Sequence, residues 1–346
     1  MSSNFYLISI IILNFIFILY IDKITNYIGI FDKPDGVRKL QVVPVAPVGG
    51  ILIVFNLVIL LLTTFLYKNT FITNNILFKI SGEYYLRGYF SLFITSIIFF
   101  VIGLYDDKKD LTPSAKLSSL FFVTLCTILI DDTLVLKQLK FVTTDHIIIL
   151  GNFSFVFTII CFLFLLNSLN LFDGINLQSG INFMIIYGFF IFKGIFLELV
   201  IPILIGNLFF LYLNYKNKIY FGDNGIYINS YIIGYLVIKS YNYNIANSPE
   251  CDEVLLLFLI PTLDAIRLFI SRISNLKNPF FGDRNHIHHL LLGRFKNIYI
   301  VNMILIILIL STILAYELSA ISLIKTLTSV ILIYSLIITY LKLRQK

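Results

Sequence analysis

Charge is scarce in this chain: Asp, Glu, Lys and Arg make up 13% of its 346 residues, against 58% hydrophobic and a mean hydropathy of +0.92. A soluble chain of this length could not cover its surface with so few charges, so lipid is the solvent for most of it. Cysteine is scarce too. Cys126 and Cys161 lie in apolar runs and Cys251 in a polar loop, spacings that form neither a disulfide framework nor a zinc pattern and leave all three as packing residues. No internal repeat marks the paired halves of a transporter, and no His-Glu-x-x-His pattern occurs. The net charge of +7 could invite nucleic acid. However, the basic residues sit in short loops between apolar runs rather than in one solvated stripe, so membrane topology accounts for them and no nucleic-acid partner is expected.

What the chain has in abundance is apolar runs long enough to cross roughly 30 Å of hydrocarbon. They fall near 5–21, 48–67, 89–104, 117–130, 154–169, 178–192, 195–214, 226–240, 254–271, 298–315 and 321–341. The expectation is an all-α integral membrane protein, one polytopic domain over 1–346 with about eleven transmembrane helices. The first run has no Lys or Arg before it and Asp22 and Lys23 after it, the wrong polarity for a cleaved signal peptide, so it reads as a permanent span. Residues 131–152 alternate polar and β-branched residues, as a short hairpin outside the membrane would. Alternating crossings give one side of the membrane most of the Lys and Arg, while the other receives only Lys68, Lys79, Arg87, Lys137, Lys140 and Lys193. That predicts an N-terminus outside and a C-terminus in the cytoplasm.

Every polar cluster with chemical potential then falls on the cytoplasmic side, which argues for surface chemistry. Adjacent Asp106 and Asp107, with Lys116 following, can hold a metal ion, a basic partner or a proton, whereas the bland alternative is a solvated helix end neutralised by Lys108 and Lys109. Asn167, Asn170 and Asp173 recur every three residues and share one face of an apolar span, an expensive arrangement unless they bind something. Phe221-Gly222-Asp223-Asn224-Gly225 sets one carboxylate between glycines, where the backbone can approach a ligand and Asp223 can ligate a hard cation, although the same residues make ordinary turns. His286, His288 and His289 follow Asp283 and Arg284, a set suited to phosphate or pyrophosphate. Asp264 and Arg267, one helical turn apart inside a span, read as a self-neutralising structural pair.

Taken in order, these clusters resemble the polyprenyl-phosphate N-acetylhexosamine-1-phosphate transferase family (glycosyltransferase family 4), in the bacterial undecaprenyl-phosphate GlcNAc-1-phosphate branch. Five motifs carry the resemblance over about residues 30–295: Asp32 through Arg38 and Lys39 to Gly50, Asp106-Asp107 with Lys116, Asn167 to Asn176, Gly222 to Gly225, and Asp283 to His289. The last motif argues against the muramoyl-pentapeptide transferases, which remain the alternative on the same fold, with a transporter or inactive scaffold as the alternative of another class.

The resemblance implies a Mg²⁺-dependent enzyme, with Mn²⁺ as a substitute, in the bacterial cytoplasmic membrane. It would join a UDP-N-acetylhexosamine to undecaprenyl or another polyprenyl phosphate, release UMP and start a cell-surface polysaccharide such as O-antigen; a homodimer is allowed for. By analogy Asn170 and Asp223 hold the metal, and Asp106, Asp107, Lys116, His286 and His289 carry the chemistry. Lys39, Asn167, Asp173, Asn176, Tyr220, Arg284 and His288 bind substrate, with Asn176 and Tyr220 near the uracil. A phosphate monoester is already mostly dianionic at neutral pH, so the aspartate pair is expected to position rather than deprotonate. Three positions depart from the family pattern: Gln41 where His is frequent, Asn176 for a second Asp, and Ile226 where Ser is common.

Overall fold

Leu, Ile and Phe surround most helices of this chain on every side, the pattern of helices solvated by lipid rather than amphipathic ones on a soluble core. The computed structural model describes residues 3–32, 43–66, 79–80, 83–84, 86–142, 144–278, 283–319 and 322–343. In order, the helices are α1 (Ser3–Leu19), α2 (Ile21–Ile28), α3 (Gly50–Leu66), α4 (Leu86–Tyr89), α5 (Thr95–Lys109), α6 (Pro113–Ile130), α7 (Ser154–Leu171), α8 (Gln178–Lys193), α9 (Leu197–Tyr215), α10 (Gly222–Asn242), α11 (Cys251–Leu257), α12 (Leu259–Ser274), α13 (Ile287–Phe295), α14 (Ile298–Ser319) and α15 (Leu323–Leu343). A π-helical turn at Phe90–Ile94 joins α4 to α5.

The all-α polytopic reading holds at this level, since every apolar run named above is mostly helical where described. Among the described residues six helices are long and apolar enough to cross a membrane, or up to eight if each of two bent pairs counts as one. Length and apolar composition alone therefore mark fewer spans than the eleven crossings expected from sequence. The α1/α2 pair bends by 59° and the α11/α12 pair by 69°. Pro261, in the first turn of α12, has no N–H to offer the carbonyl of Leu257 and its ring crowds that carbonyl, which is why the run from 254 to 271 breaks there. Gly194, at φ +72°, ends α8 and separates it from α9.

Helix α10 shows why hydropathy undercounts. It carries Asn224, Asn229, Ser230, Lys239 and Ser240, all buried, and packs against α3, α5, α7 and α8. Protein rather than lipid surrounds it, so its polar residues find partners inside the bundle. Tyr187 donates a hydrogen bond to Asn229 Oδ1 at 3.0 Å, and Asn229 Nδ2 donates to the Gly225 carbonyl at 2.9 Å. At the far end of α10 the Lys239 ammonium meets Asp131 Oδ2 at 2.7 Å with both side chains fully buried, and Ser91 donates to the same oxygen at 2.5 Å.

The segment 131–152 contains the expected hairpin, Gln138–Phe141 pairing antiparallel with Thr144–Ile149. Its Lys140 N–H donates to the Tyr241 hydroxyl at 2.5 Å, so the hairpin sits at the Lys239 end of α10. At the opposite end, Ala46–Pro47 pairs in parallel with Ile219–Tyr220, fastening the chain before α3 to the chain before α10. The 21 residues of α10 separate these two ends by about 30 Å.

Candidate active site

The short parallel ladder delivers Gly222 to the start of α10 at φ +64°, a backbone conformation glycine adopts without strain. Asp107, at the end of α5, fixes the turn that follows: its Oδ1 accepts from the Asp223 N–H at 2.9 Å, and its Oδ2 accepts from the Asn224 N–H at 3.2 Å and from Asn224 Nδ2 at 2.7 Å. A carboxylate at the N-terminus of α10 also faces that helix's positive dipole end. Asn224 adds the first motif, accepting from the Gly50 N–H at 2.9 Å and donating to the Pro47 carbonyl at 2.6 Å. Helices α5 and α10 can approach this closely because Gly103 has no side chain: a Cβ there would lie 2.3 Å from Asn224 backbone atoms.

Held in this way, Asp223 meets Asp106 across Lys116. The Lys116 ammonium lies 2.6 Å from Asp106 Oδ2 and 2.8 Å from Asp223 Oδ2. Lys116 comes from the first turn of α6, whose start is set by Pro113 at N1 and by Thr112, which accepts from the Ala115 N–H at 3.3 Å. Asp106 Oδ1 accepts from the Leu111 N–H at 2.9 Å, closing the α5–α6 turn. The Asn170 amide on α7 contacts Asp223 Oδ1.

A second wall faces these residues across a cleft of about 1740 Å³. It is formed by Asp283, Arg284, His286, His288 and His289, with Arg272 behind them donating to Asp283 Oδ2 at 3.0 Å. The rings of His286 and His288 stack at 5.3 Å between centroids, and His289 lies 4.3 Å from His288. Gln178 Nε2 lies 3.2 Å from His288 Nδ1. Burial holds the His288 imidazole well below the usual histidine range, so it stays neutral.

The third motif forms the floor. Asn167, Asn170 and Asp173 all line the cleft, as their spacing predicts, and Gly174 backs directly onto His288 Nε2. Asn176 is held in an amide network, donating to Asn217 Oδ1 at 2.6 Å and accepting from Asn214 Nδ2 at 2.7 Å. Tyr220 lines the same cleft, and burial with nearby Asp32 and Asp173 pushes its phenol up, so it remains a donor.

Of the residues selected from sequence, Asp106, Asp107, Lys116, Asn167, Asn170, Asp173, Asn176, Tyr220, Asp223, Arg284, His286, His288 and His289 all line this one cleft, although they come from segments up to 183 positions apart. Lys39, like Arg38 and Gln41, lies outside the described residues. Sequence reasoning missed Asn214, Gln178 and the connecting role of Asn224. Their only signal is being an amide beside a motif in an apolar chain. The Asp264–Arg267 pair forms as expected at 2.8 Å, yet Asp264 Oδ2 also takes the Nδ1 proton of His286 at 2.8 Å.

Fold and cleft together define a polytopic membrane protein whose acidic and amide wall faces an imidazole and guanidinium wall, a pairing suited to phosphorylated substrates and a hard cation. Residues 89–241 match the family model described as Glycosyl transferase family 4. The chain is 24% identical over 301 residues to the undecaprenyl-phosphate alpha-N-acetylglucosaminyl 1-phosphate transferase of Salmonella typhi, covering 83% of this chain and 75% of that protein. It is 23% identical over the same coverage to the protein of that name from Escherichia coli strain K12. The resemblance drawn from the motifs is borne out by these similarities to glycosyltransferase family 4 and to membrane sugar-phosphate transferases. The family match takes in the Asp106, Asn170 and Asp223 clusters and stops before His286.

Among the described residues, no three His, Cys, Asp or Glu side chains converge as a preformed metal cluster. The donors at Asp223 nevertheless fit Mg²⁺. A carboxylate and an amide oxygen are hard ligands, and Mg²⁺ commonly takes one or two protein oxygens and completes its shell with water and substrate phosphates. Asn170 and Asp223 already touch, so turning the Asn170 amide would present two oxygens to one ion.

Proposed function

We propose that this protein transfers N-acetylhexosamine 1-phosphate, GlcNAc 1-phosphate in the first instance, from a UDP-sugar to undecaprenyl phosphate at the cytoplasmic face of a bacterial inner membrane. A lipid phosphate oxygen attacks the sugar-bearing β-phosphorus; the new P–O bond forms as the bond to UMP breaks, and UMP leaves with the electron pair. The product is the lipid-linked first sugar of a surface polysaccharide. Carrying this reading is the convergence in one cleft of Asp106, Lys116, Asn170 and Asp223 opposite Arg284 and the three histidines.

Two anionic substrates repel each other, so the first demand is charge neutralisation. Mg²⁺ bound at Asn170 and Asp223 would supply it by polarising the phosphoryl oxygens. Lys116, already bridging two carboxylates, is placed to exchange one of them for a lipid phosphate oxygen. Asp106 would set its position. Asp107 would act through the Asp223 turn it holds. Arg284, His288 and His289 would bind pyrophosphate and sugar, with Asn167 and Asp173 below, while Asn176 and Tyr220 would border the base. All eleven apolar runs would cross the membrane, with α10 packed inside the bundle, as one domain with the N-terminus outside. A homodimer is no part of this proposal.

Membranes containing the protein should release UMP from UDP-GlcNAc only when polyprenyl phosphate and Mg²⁺ are both present. Absence of UMP with every member of a UDP-HexNAc panel, which would also reveal the sugar used, would remove the enzyme reading.

A further inference from the structure

Asp264 lies inside α12, 1% exposed, and four donors converge on it. Its Oδ1 accepts from Arg267 Nη2 at 2.8 Å, from the Tyr334 hydroxyl at 2.6 Å and from the Ile287 N–H at 3.2 Å. Its Oδ2 accepts from His286 Nδ1 at 2.8 Å. Arg267 is itself steered, its Nε donating to Tyr334 at 2.9 Å and its Nη2 to the Asn285 carbonyl at 2.6 Å. This is more machinery than a self-neutralising i, i+3 pair requires. It ties α12, α15 and the segment entering α13 to one carboxylate, and it ends on a ring that lines the cleft.

We infer that Asp264 is a positioning residue for the transfer reaction: it fixes the proton of His286 on Nδ1, leaving Nε2 as the ring nitrogen available to a ligand in the cleft, with Arg267 and Tyr334 orienting the carboxylate. The inference rests on the transferase reading above. His286 is the N-cap of α13 and its side chain makes no cap bond, so the Ile287 N–H is satisfied by Asp264 instead. One carboxylate thereby caps the helix that carries His288 and His289 and sets the tautomer of the histidine before it. A carboxylate accepting from Nδ1–H holds an imidazole in one orientation and one tautomer, and losing that support costs rate out of proportion to binding.

The two oxygens make a sharp test possible. In Asp264→Asn the three donors around the Oδ1 position require the amide oxygen there, so the amide NH₂ must face His286. His286 Nδ1 then has to accept, and its proton moves to Nε2. Purified full-length protein with ¹⁵N-labelled histidine should show His286 protonated at Nδ1, its signals assigned by their loss in His286→Gln, and Asp264→Asn should lose that Nδ1–H signal. In UMP release from UDP-GlcNAc, Asp264→Asn should lower kcat about 10- to 100-fold with little change in KM. The double variant Asp264→Asn/His286→Gln should be no slower than His286→Gln alone.

A wild-type ring with a bare Nδ1 would overturn the inference, and this measurement needs neither turnover nor a folded Asp264 variant. So would full kcat in a folded Asp264→Asn protein, or losses that simply multiply in the double variant. If the wild-type protein releases no UMP, the transferase reading fails, and the nitrogen signals still decide whether Asp264 sets the His286 tautomer.

Discussion

Asp223 is the residue on which three separate constraints meet: Lys116 and Asn170 touch its carboxylate and Asp107 holds its backbone. Asp223→Ala removes the expected metal ligand together with the carboxylate that Lys116 and Asn170 hold. We expect turnover to vanish at all practical Mg²⁺ concentrations; full activity would take Asp223 out of the metal site. Gly174 makes the complementary point. A Cβ there would sit 1.8 Å from His288 Nε2, so Gly174→Ala must push the imidazole out of the cleft. UMP release should fall by about tenfold or more, the scale expected when a reacting group is displaced by an ångström. His288 also predicts a pH response. Burial keeps its folded-state value below the 6.5 of an unfolded histidine, so the unfolded chain binds the extra proton and stability is lost as pH falls through 6.5. Melting curves between pH 8 and 5 should flatten on the acid side in His288→Gln, and an unchanged curve would show the ring is not held neutral.

At the scale of elements, the α5–α10 contact places the chemistry. Gly103 lets the two helices touch, and Asn224, with no exposure, connects α3, α5 and α10 by amide hydrogen bonds. Gly103→Val should separate Asp106 from Asp223 and cost both activity and stability. Asn224→Ala should destabilise by about 1–3 kcal/mol, because it leaves the buried Gly50 N–H and Pro47 carbonyl without partners. Denaturation of the purified proteins measures both. Every apolar run named from sequence is mostly helical where described, because hydrocarbon requires backbone groups to be satisfied within the segment and long apolar runs can do so only as helix. The breaks at Tyr20 and Phe258 and the buried course of α10 were not legible. Whether a polar residue faces lipid or a neighbouring helix is a property of the neighbour.

For the whole molecule, the site and the Gln138–Phe141 hairpin occupy opposite ends of α10. A topology with the cleft in the cytoplasm therefore expects single cysteines at Lys108 and Arg284 to react with an impermeant reagent only from inside, and one at Lys137 only from outside. Reaction of the first two from opposite sides would break the proposed cleft in two. The sequence by itself determined a lipid-solvated helical chain and which polar residues were costly enough to be candidates for a site, since composition and solvation energy are additive along a chain. It also paired Asp264 with Arg267 correctly, but gave no sign of His286 at the carboxylate's other oxygen. Only tertiary structure decided that thirteen of the selected side chains share one cleft and that Asp264 answers to His286. Hydrogen bonds and charge pairing act over a few ångströms of space, and in a helical bundle that neighbourhood is chosen by packing.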